Sequence, residues 1–223
     1  MTFLLLTAVL VVSLAAHLVQ TLTTGCGCSL ETRLLAILCG EYSNAGDIGR
    51  LRQGQAHDEV TFVFQEVDVP ALQHNRVIYF EEKLNSVVLR QEVLVLDRTV
   101  YGAVKLSVHN FNLPAESGNF SVSLLHDLPL SAFTSRPDCV TVYRPVEYNL
   151  FVGIYPDCSG RLQLQTIPHP FVLSCNAISV VGRVKFSLES ASNIPYSVWK
   201  INSLPLKSYG NCGESILEEL CTC

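Results

Sequence analysis

Between Glu59 and Ile201 the chain is a succession of short runs in which every second residue is apolar, each cut by Gly, Pro, Asn or Asp before it reaches helical length. A period of two sends alternate side chains to opposite faces of an extended backbone and lays no continuous apolar stripe on a helix. The runs Val60 to Val67, Arg76 to Glu82, Val87 to Leu96, Val100 to Phe111, Phe120 to Leu125, Val140 to Arg144 and Leu150 to Tyr155 therefore read as strands. Arg161 to Ile167, Phe171 to Cys175, Ile178 to Glu189 and Tyr196 to Ile201 follow in the same pattern. Roughly ten or eleven strands with short connections fit an all-β barrel or sandwich wound as an up-and-down meander. Two short helices flank them. Ser29 caps one through Glu41, with Leu30, Leu34, Ile37 and Leu38 on one face and Glu31 in the first turn. Ser215 and Glu218 form a capping box for a C-terminal helix bearing Ile216, Leu217 and Leu220, which is too short to persist unless it docks.

The N-terminus points to a compartment. Residues 2–24 lack Asp, Glu, Lys and Arg, and Phe3 to Val19 is apolar apart from Thr7, Ser13 and His17, the pattern of a secretory signal. Removal near Gly25 gives a signal peptide over 1–25 and a single domain over 26–223. The same run is long enough for a signal anchor. Gly25-Cys26 also admits a lipoprotein cysteine, although Thr23 stands where an aliphatic residue belongs. All nine Cys lie at or beyond Cys26, and in an oxidising compartment such a density reads first as disulfides. Nine is odd, so one thiol among Cys39, Cys175, Cys212 and the tails stays free or joins a second copy as a homodimer. Asn119-Phe120-Ser121 is a glycosylation sequon. Together these features predict a secreted, extracellular glycoprotein with no membrane partner once the signal is gone.

Charge and motifs narrow the function. Fifteen Lys and Arg against twenty Asp and Glu, a net charge of -5, provide no basic surface for nucleic acid. No nucleophile elbow, zinc-protease helix, phosphate loop or dinucleotide fingerprint is present. The six His show no ligand spacing, and His109 alternates with Lys105 and Ser107 on an outer strand face. Cys26, Cys28, Cys221 and Cys223 suit disulfides that tie the tails together or to the barrel, with a four-thiolate zinc site as the alternative; no metal is expected. Cys139 and Cys158 bracket a hairpin turning near Glu147 to Asn149, where they face each other within a residue's register. A disulfide there would add about 3 kcal/mol. In Val87 to Leu96 both faces are largely apolar, yet one carries Arg90 and Glu92. Those charges either orient a polar-ended ligand inside a barrel or form an exterior ion pair under a covering element.

Five segments resemble a known family in their order and spacing. They are Gly40-Glu41-Tyr42-Ser43-Asn44, Val77-Ile78-Tyr79-Phe80-Glu81-Glu82, Leu89-Arg90-Gln91-Glu92-Val93-Leu94-Val95-Leu96, Pro137-Asp138-Cys139-Val140-Thr141-Val142, and Phe151-Val152-Gly153 through Asp157-Cys158. The chain from Ile37 to Ile201 is similar in this way to the CpcT/CpeT family, the T-type phycobiliprotein chromophore lyases. It departs from the family pattern in Glu82 for Gln, in Glu92 for a second Arg, and in Trp199-Lys200-Ile201 for a Trp-Gly-Ser segment. The resemblance implies a calycin-like, lipocalin-like antiparallel barrel open at one end. It also implies that the barrel holds a bilin, with no cofactor permanently bound, and assists addition of a client protein's cysteine thiolate to the bilin's vinylic carbon. On that reading Arg90 pairs with a propionate, Glu81 protonates or positions pyrrole nitrogens, and Tyr79 and Trp199 line the cavity. The residues alone also allow plainer roles: Arg90 as a solvated strand charge, Tyr79 and Trp199 as core aromatics. A second function is a non-enzymatic secreted binding or interaction module that keeps only the fold, its barrel plugged by its own side chains.

Overall fold

The computed structural model describes residues 28–48, 59–72, 75–98, 101–113, 120–154, 171–185 and 191–207. Alternation becomes ten strands: β1 (Gly40–Ser43), β2 (Val60–Val67), β3 (Arg76–Leu84), β4 (Val87–Arg98), β5 (Val104–Phe111), β6 (Phe133–Glu147), β7 (Leu150–Ile154), β8 (Phe171–Ser174), β9 (Ala177–Lys185) and β10 (Ala191–Ser203). Each pairs antiparallel with its neighbour in sequence, and β1 closes the ring by pairing with both β2 and β10. Closure decides between barrel and sandwich: the fold is an all-β, calycin-like meander in which every described strand pairs with a neighbour on each side.

One face of every strand points inward. Val60 and Phe62, Ile78 and Phe80, Leu94 and Leu96, Val104 and Leu106, Tyr143, Phe151, Leu173, Ile178 and Val198 form a single buried cluster. Helix α1 (Leu30–Leu38) contributes Leu34, Leu35 and Ile37, each 0% exposed, to that cluster. It reaches both β5 and β8, and so closes one end of the barrel. Ser29 caps it as expected, its Oγ accepting from the Thr32 amide at 3.2 Å. The helix stops at Leu38, three residues before the expected Glu41. Cys39 is extended, and at Gly40 an added Cβ would lie 2.7 Å from the Asn202 carbonyl oxygen. The close approach of β1 to β10 therefore requires glycine there, and closing the ring displaces a further helical turn. A second helix, α2 (Ala45–Ile48), follows β1 directly.

The outer face of β2 to β4 is covered as well. Val67, Val77, Tyr79, Val93 and Val95 pack beneath Leu125 and Leu128. Phe120 to Leu125, expected as a strand, instead leads into a 3₁₀ turn over Val122–Asp127. Val122, Leu125 and Leu128 recur every three residues, the 3₁₀ period, which sets all three on the sheet. This strap explains why both faces of β4 are apolar. The β6–β7 hairpin forms as expected, with Arg144 opposite Val152 and a turn at Tyr148 and Asn149. The signal segment, Cys26, Cys158, Cys221, Cys223, Asn119, the Arg161 to Ile167 run, the C-terminal helix and the Cys139 side chain lie outside the described residues. Within them Cys39 is a free buried thiol, whereas Cys28 and Cys175 are disulfide-bonded.

A polar network fixes the helix to the barrel. Glu66, 5% exposed, accepts from Arg76 Nε at 2.8 Å, from Arg76 Nη2 at 3.1 Å and from the Lys207 amide at 2.8 Å. Arg76 Nη1 donates to Thr32 Oγ1 at 2.9 Å in the first turn of α1. Arg33 clamps the other side, donating to the carbonyls of Glu147 and Tyr148 and lying 4.3 Å over the Tyr148 ring.

Two stability predictions follow from this geometry. Glu66→Ala removes the acceptor shared by Arg76 and the Lys207 amide, and urea unfolding should show a loss of about 1 to 3 kcal/mol. At the β3–β4 turn Asn85 and Ser86 both have positive φ, 50° and 68°. Glycine suits such a two-residue turn better than serine, so Ser86→Gly should raise unfolding free energy by about 0.5 to 1 kcal/mol in the same assay.

Candidate functional site

The alternation that turns Phe80 into the lumen turns Glu82, Arg90 and Glu92 there too, since Phe80 pairs with Glu92 and Glu82 with Arg90 across β3 and β4. Arg136 joins them from β6, opposite the lumenal Val108. Its position depends on an irregularity: pairing jumps from Val140 to Arg136, leaving Pro137, Asp138 and Cys139 without partners on β5. Pro137 lacks the amide a regular ladder would use, which accounts for the break.

Geometry separates this cluster from the Glu66 network. Arg90 Nη2 meets Glu82 Oε2 at 3.1 Å. Glu92, only 5% exposed, sits 3.7 Å from Arg90 Nε and 3.6 Å from Arg136 Nη1, beyond hydrogen-bond length on both sides. Arg90 Nε is buried and makes no hydrogen bond among the described residues. Its guanidinium lies 4.8 Å over the Phe80 ring, and Phe80 stacks 4.8 Å from Phe64 and 5.9 Å from Phe62. A charged group held over an aromatic wall with an unused donor is equipped to take a ligand atom.

The four residues expected at a common cavity do not share one. Tyr79 and Glu81 alternate with Phe80 and face outward, on the opposite side of the sheet from Arg90. There Tyr79 donates to Glu81 Oε2 at 2.7 Å, and Gln91 Nε2 donates to both Tyr79 and Glu81 at 2.8 Å. Lys83 closes on Glu81 at 2.6 Å, and the Tyr79 ring packs 5.4 Å from Phe120 of the strap. Burial, then the Glu81 carboxylate, pushes the Tyr79 phenol well above its ordinary value. Burial would raise the Glu81 carboxyl too, but hydrogen bonds from Lys83, Tyr79 and Gln91 outweigh it and hold it below the carboxylate range. Trp199 follows the inward Val198, faces out and is 48% exposed. The period of two is the physical reason: one-residue offsets put side chains on opposite faces. Arg90 alone keeps its expected lumenal place, its partners being Glu82 and Glu92. His109 faces the outer side with Asp97, Ser107 and Ser135 about the same groove, and burial lowers its pKa.

Lys200 is a half-buried cation that the sequence pattern left unmarked. Its Nζ donates to the carbonyls of Ile37 at 2.7 Å and Cys39 at 3.1 Å, neutralising the C-terminal end of α1, and it lies 5.3 Å over the Tyr42 ring. The Tyr42 hydroxyl donates to the same Ile37 carbonyl. Its chemistry reads as a helix cap.

No family model matches the chain, and neither does any curated protein. Class therefore rests on fold and site: a closed antiparallel barrel whose lumen face carries, besides the Glu66 network beside α1, a second charged cluster among apolar residues.

Burial holds the Lys200 ammonium down at about 8, from 10.5, and pushes the Cys39 thiol up to about 12, from 9.0. Between pH 8 and 9 the unfolded chain keeps the lysine proton that the folded protein sheds, so stability rises with pH. From pH 9 the unfolded thiol deprotonates while the folded one does not, and this offsets the lysine's contribution, so stability levels off; above about 10 the unfolded Tyr42 and Tyr79 phenols ionise as well, and stability falls. Urea unfolding should therefore show a rise from pH 8 to 9, a plateau to about 10 and a fall beyond it, and Lys200→Met should remove the rise and turn the plateau into a fall.

Proposed function

We propose that this is a secreted ligand-binding barrel whose lumen takes an elongated apolar molecule of tetrapyrrole size, a bilin being the class that the family resemblance nominates. The observation that carries the reading is the Glu82, Arg90, Glu92 and Arg136 cluster on the apolar lumen face. Four charges with incomplete hydrogen bonding are a poor way to stabilise a core, since a buried ion pair rarely exceeds apolar packing in worth. They make sense as the polar end of a binding site whose aromatic wall is Phe62, Phe64 and Phe80. The chemistry that accompanies the resemblance is addition of a client protein's cysteine thiolate to the ligand's vinylic carbon, with the thiol proton passing to the bilin. For that step the barrel would supply binding and orientation.

Titration of the purified protein with biliverdin or phycocyanobilin, followed by absorbance, should give a saturable one-site curve and a shifted bilin spectrum. Leu84, a partly buried lumenal residue at the β3–β4 end, marks where bulk would obstruct the ligand. Leu84→Trp should weaken binding at least about tenfold, equivalent to about 1.4 kcal/mol. An unchanged affinity would move the site out of the lumen.

The second reading, a non-enzymatic interaction module, draws on Val87, Val88 and Leu89, which are 63%, 43% and 44% exposed at the tip of the β3–β4 hairpin. Failure of both bilins to bind, with the melting temperature unaltered by either, would favour it.

A further inference from the structure

We infer that the lumenal cluster selects a ligand whose polar end is a neutral hydrogen-bond acceptor, such as a lactam, ester or ketone carbonyl, and that Glu92 sets this preference by excluding carboxylates. The inference rests on the proposed lumenal binding and goes further by naming the end-group chemistry. Charge is already balanced among the described residues of the cluster: Arg90 and Arg136 carry two positive charges, Glu82 and Glu92 two negative ones. Hydrogen bonding is not balanced. Glu82 lies within hydrogen-bond range of Arg90 Nη2 at 3.1 Å, whereas Glu92 stands 3.6 and 3.7 Å from the two guanidiniums and Arg90 Nε makes no hydrogen bond among the described residues. A site with donors to spare and no net charge is completed by an acceptor that brings no charge. A ligand carboxylate would add a third negative charge beside Glu92, which is 5% exposed and poorly screened by water. Arg90 and Arg136 keep 20% and 18% exposure, so the pair remains within reach of an incoming group.

Glu92 therefore acts as a positioning and selecting residue. It occupies the place between two guanidiniums that a carboxylate ligand would otherwise take. Replacing it with glutamine keeps the shape and removes one negative charge, converting the cluster into a receptor with net charge +1. Replacing Arg136 with glutamine does the reverse.

The test uses one bilin in two charge states, biliverdin and its dimethyl ester, titrated against wild type, Glu92→Gln and Arg136→Gln by tryptophan fluorescence quenching and absorbance. The wild type should favour the ester by about tenfold, the size of effect expected for an unfavourable like charge at partial burial. Glu92→Gln should shift the acid-to-ester affinity ratio toward the acid by about tenfold or more, and Arg136→Gln should shift it further toward the ester. The ratio within each variant is the readout, so general loss of packing cancels. An acid-to-ester ratio that is the same in all three proteins, or a wild type that prefers the free acid, would overturn the selection by Glu92 while leaving lumenal binding intact. Absence of binding by either compound to any of the three would overturn the lumenal reading and this inference with it.

Discussion

The end of the barrel is organised around one carboxylate. Glu66 lies on the lumen face of β2 and gathers Arg76 from β3, and through Arg76 the Thr32 hydroxyl of α1, and the Lys207 amide from the chain leaving β10. Three chain segments distant in sequence are thus referred to a single point. An ion pair of this kind adds little net stability over an apolar substitute, because desolvation offsets most of the attraction. What it adds is position. The apolar face of α1, with Leu34, Leu35, Ile37 and Leu38, could slide across the barrel end at little cost. The hydrogen bond from Arg76 to Thr32 at one end and Lys200 on the Ile37 and Cys39 carbonyls at the other remove that freedom.

Seen from that fixed end, the lumen carries two polar clusters with different accounts of their hydrogen bonds. Around Glu66 every contact lies between 2.8 and 3.1 Å. Around Glu92 the contacts are 3.6 and 3.7 Å, and a buried donor is left over. Low dielectric strengthens a satisfied network and penalises an unsatisfied one, so the two cannot serve the same purpose. The first holds the fold, and the second keeps a buried donor unused, which is the feature that the proposed binding reading draws on.

Much of the fold was legible because the period of two is a direct record of which face is buried. Strand existence and the β6–β7 hairpin come from it, and the alternation set Arg90 and Glu92 on one face while leaving open whether that face is the lumen or the exterior; the Ser29 cap is legible from capping propensity instead. The misses have local causes. Phe120 to Leu125 alternates like a strand, but its apolar residues also recur at three, and the covered outer face of β4 favours that period. The start of β1 was absorbed into the preceding helix because the helix was carried to Glu41 past Gly40, the residue that marks a helix end by propensity and that the contact with β10 also demands. Glu66, Arg76 and Arg136 were visible in principle as charges on faces otherwise built of Val, Phe, Ile and Leu. Arg136 was concealed further by the register break at Pro137 to Cys139, which no alternation count crosses. Tyr79 and Arg90 were grouped by order along the chain, whereas the parity of their pairing separates them onto opposite faces.

Parity also clarifies how fold and chemistry can part within one sequence pattern. In the family that the chain resembles, the position of Glu92 carries a second arginine, two residues from the first and therefore on the same face. With arginine there, Arg90 and Arg136 would face Glu82 alone, and this cluster would hold a net charge of +2, suited to a dicarboxylate. Glutamate at 92 changes that sum by two units and brings it to zero without altering a strand, a turn or the register, because Phe80 pairs with position 92 whatever the side chain. On the proposed reading, one residue on the inner face would move the cluster from attracting anions to excluding them, while Glu66, Arg76 and α1 at the opposite end keep the barrel as it was.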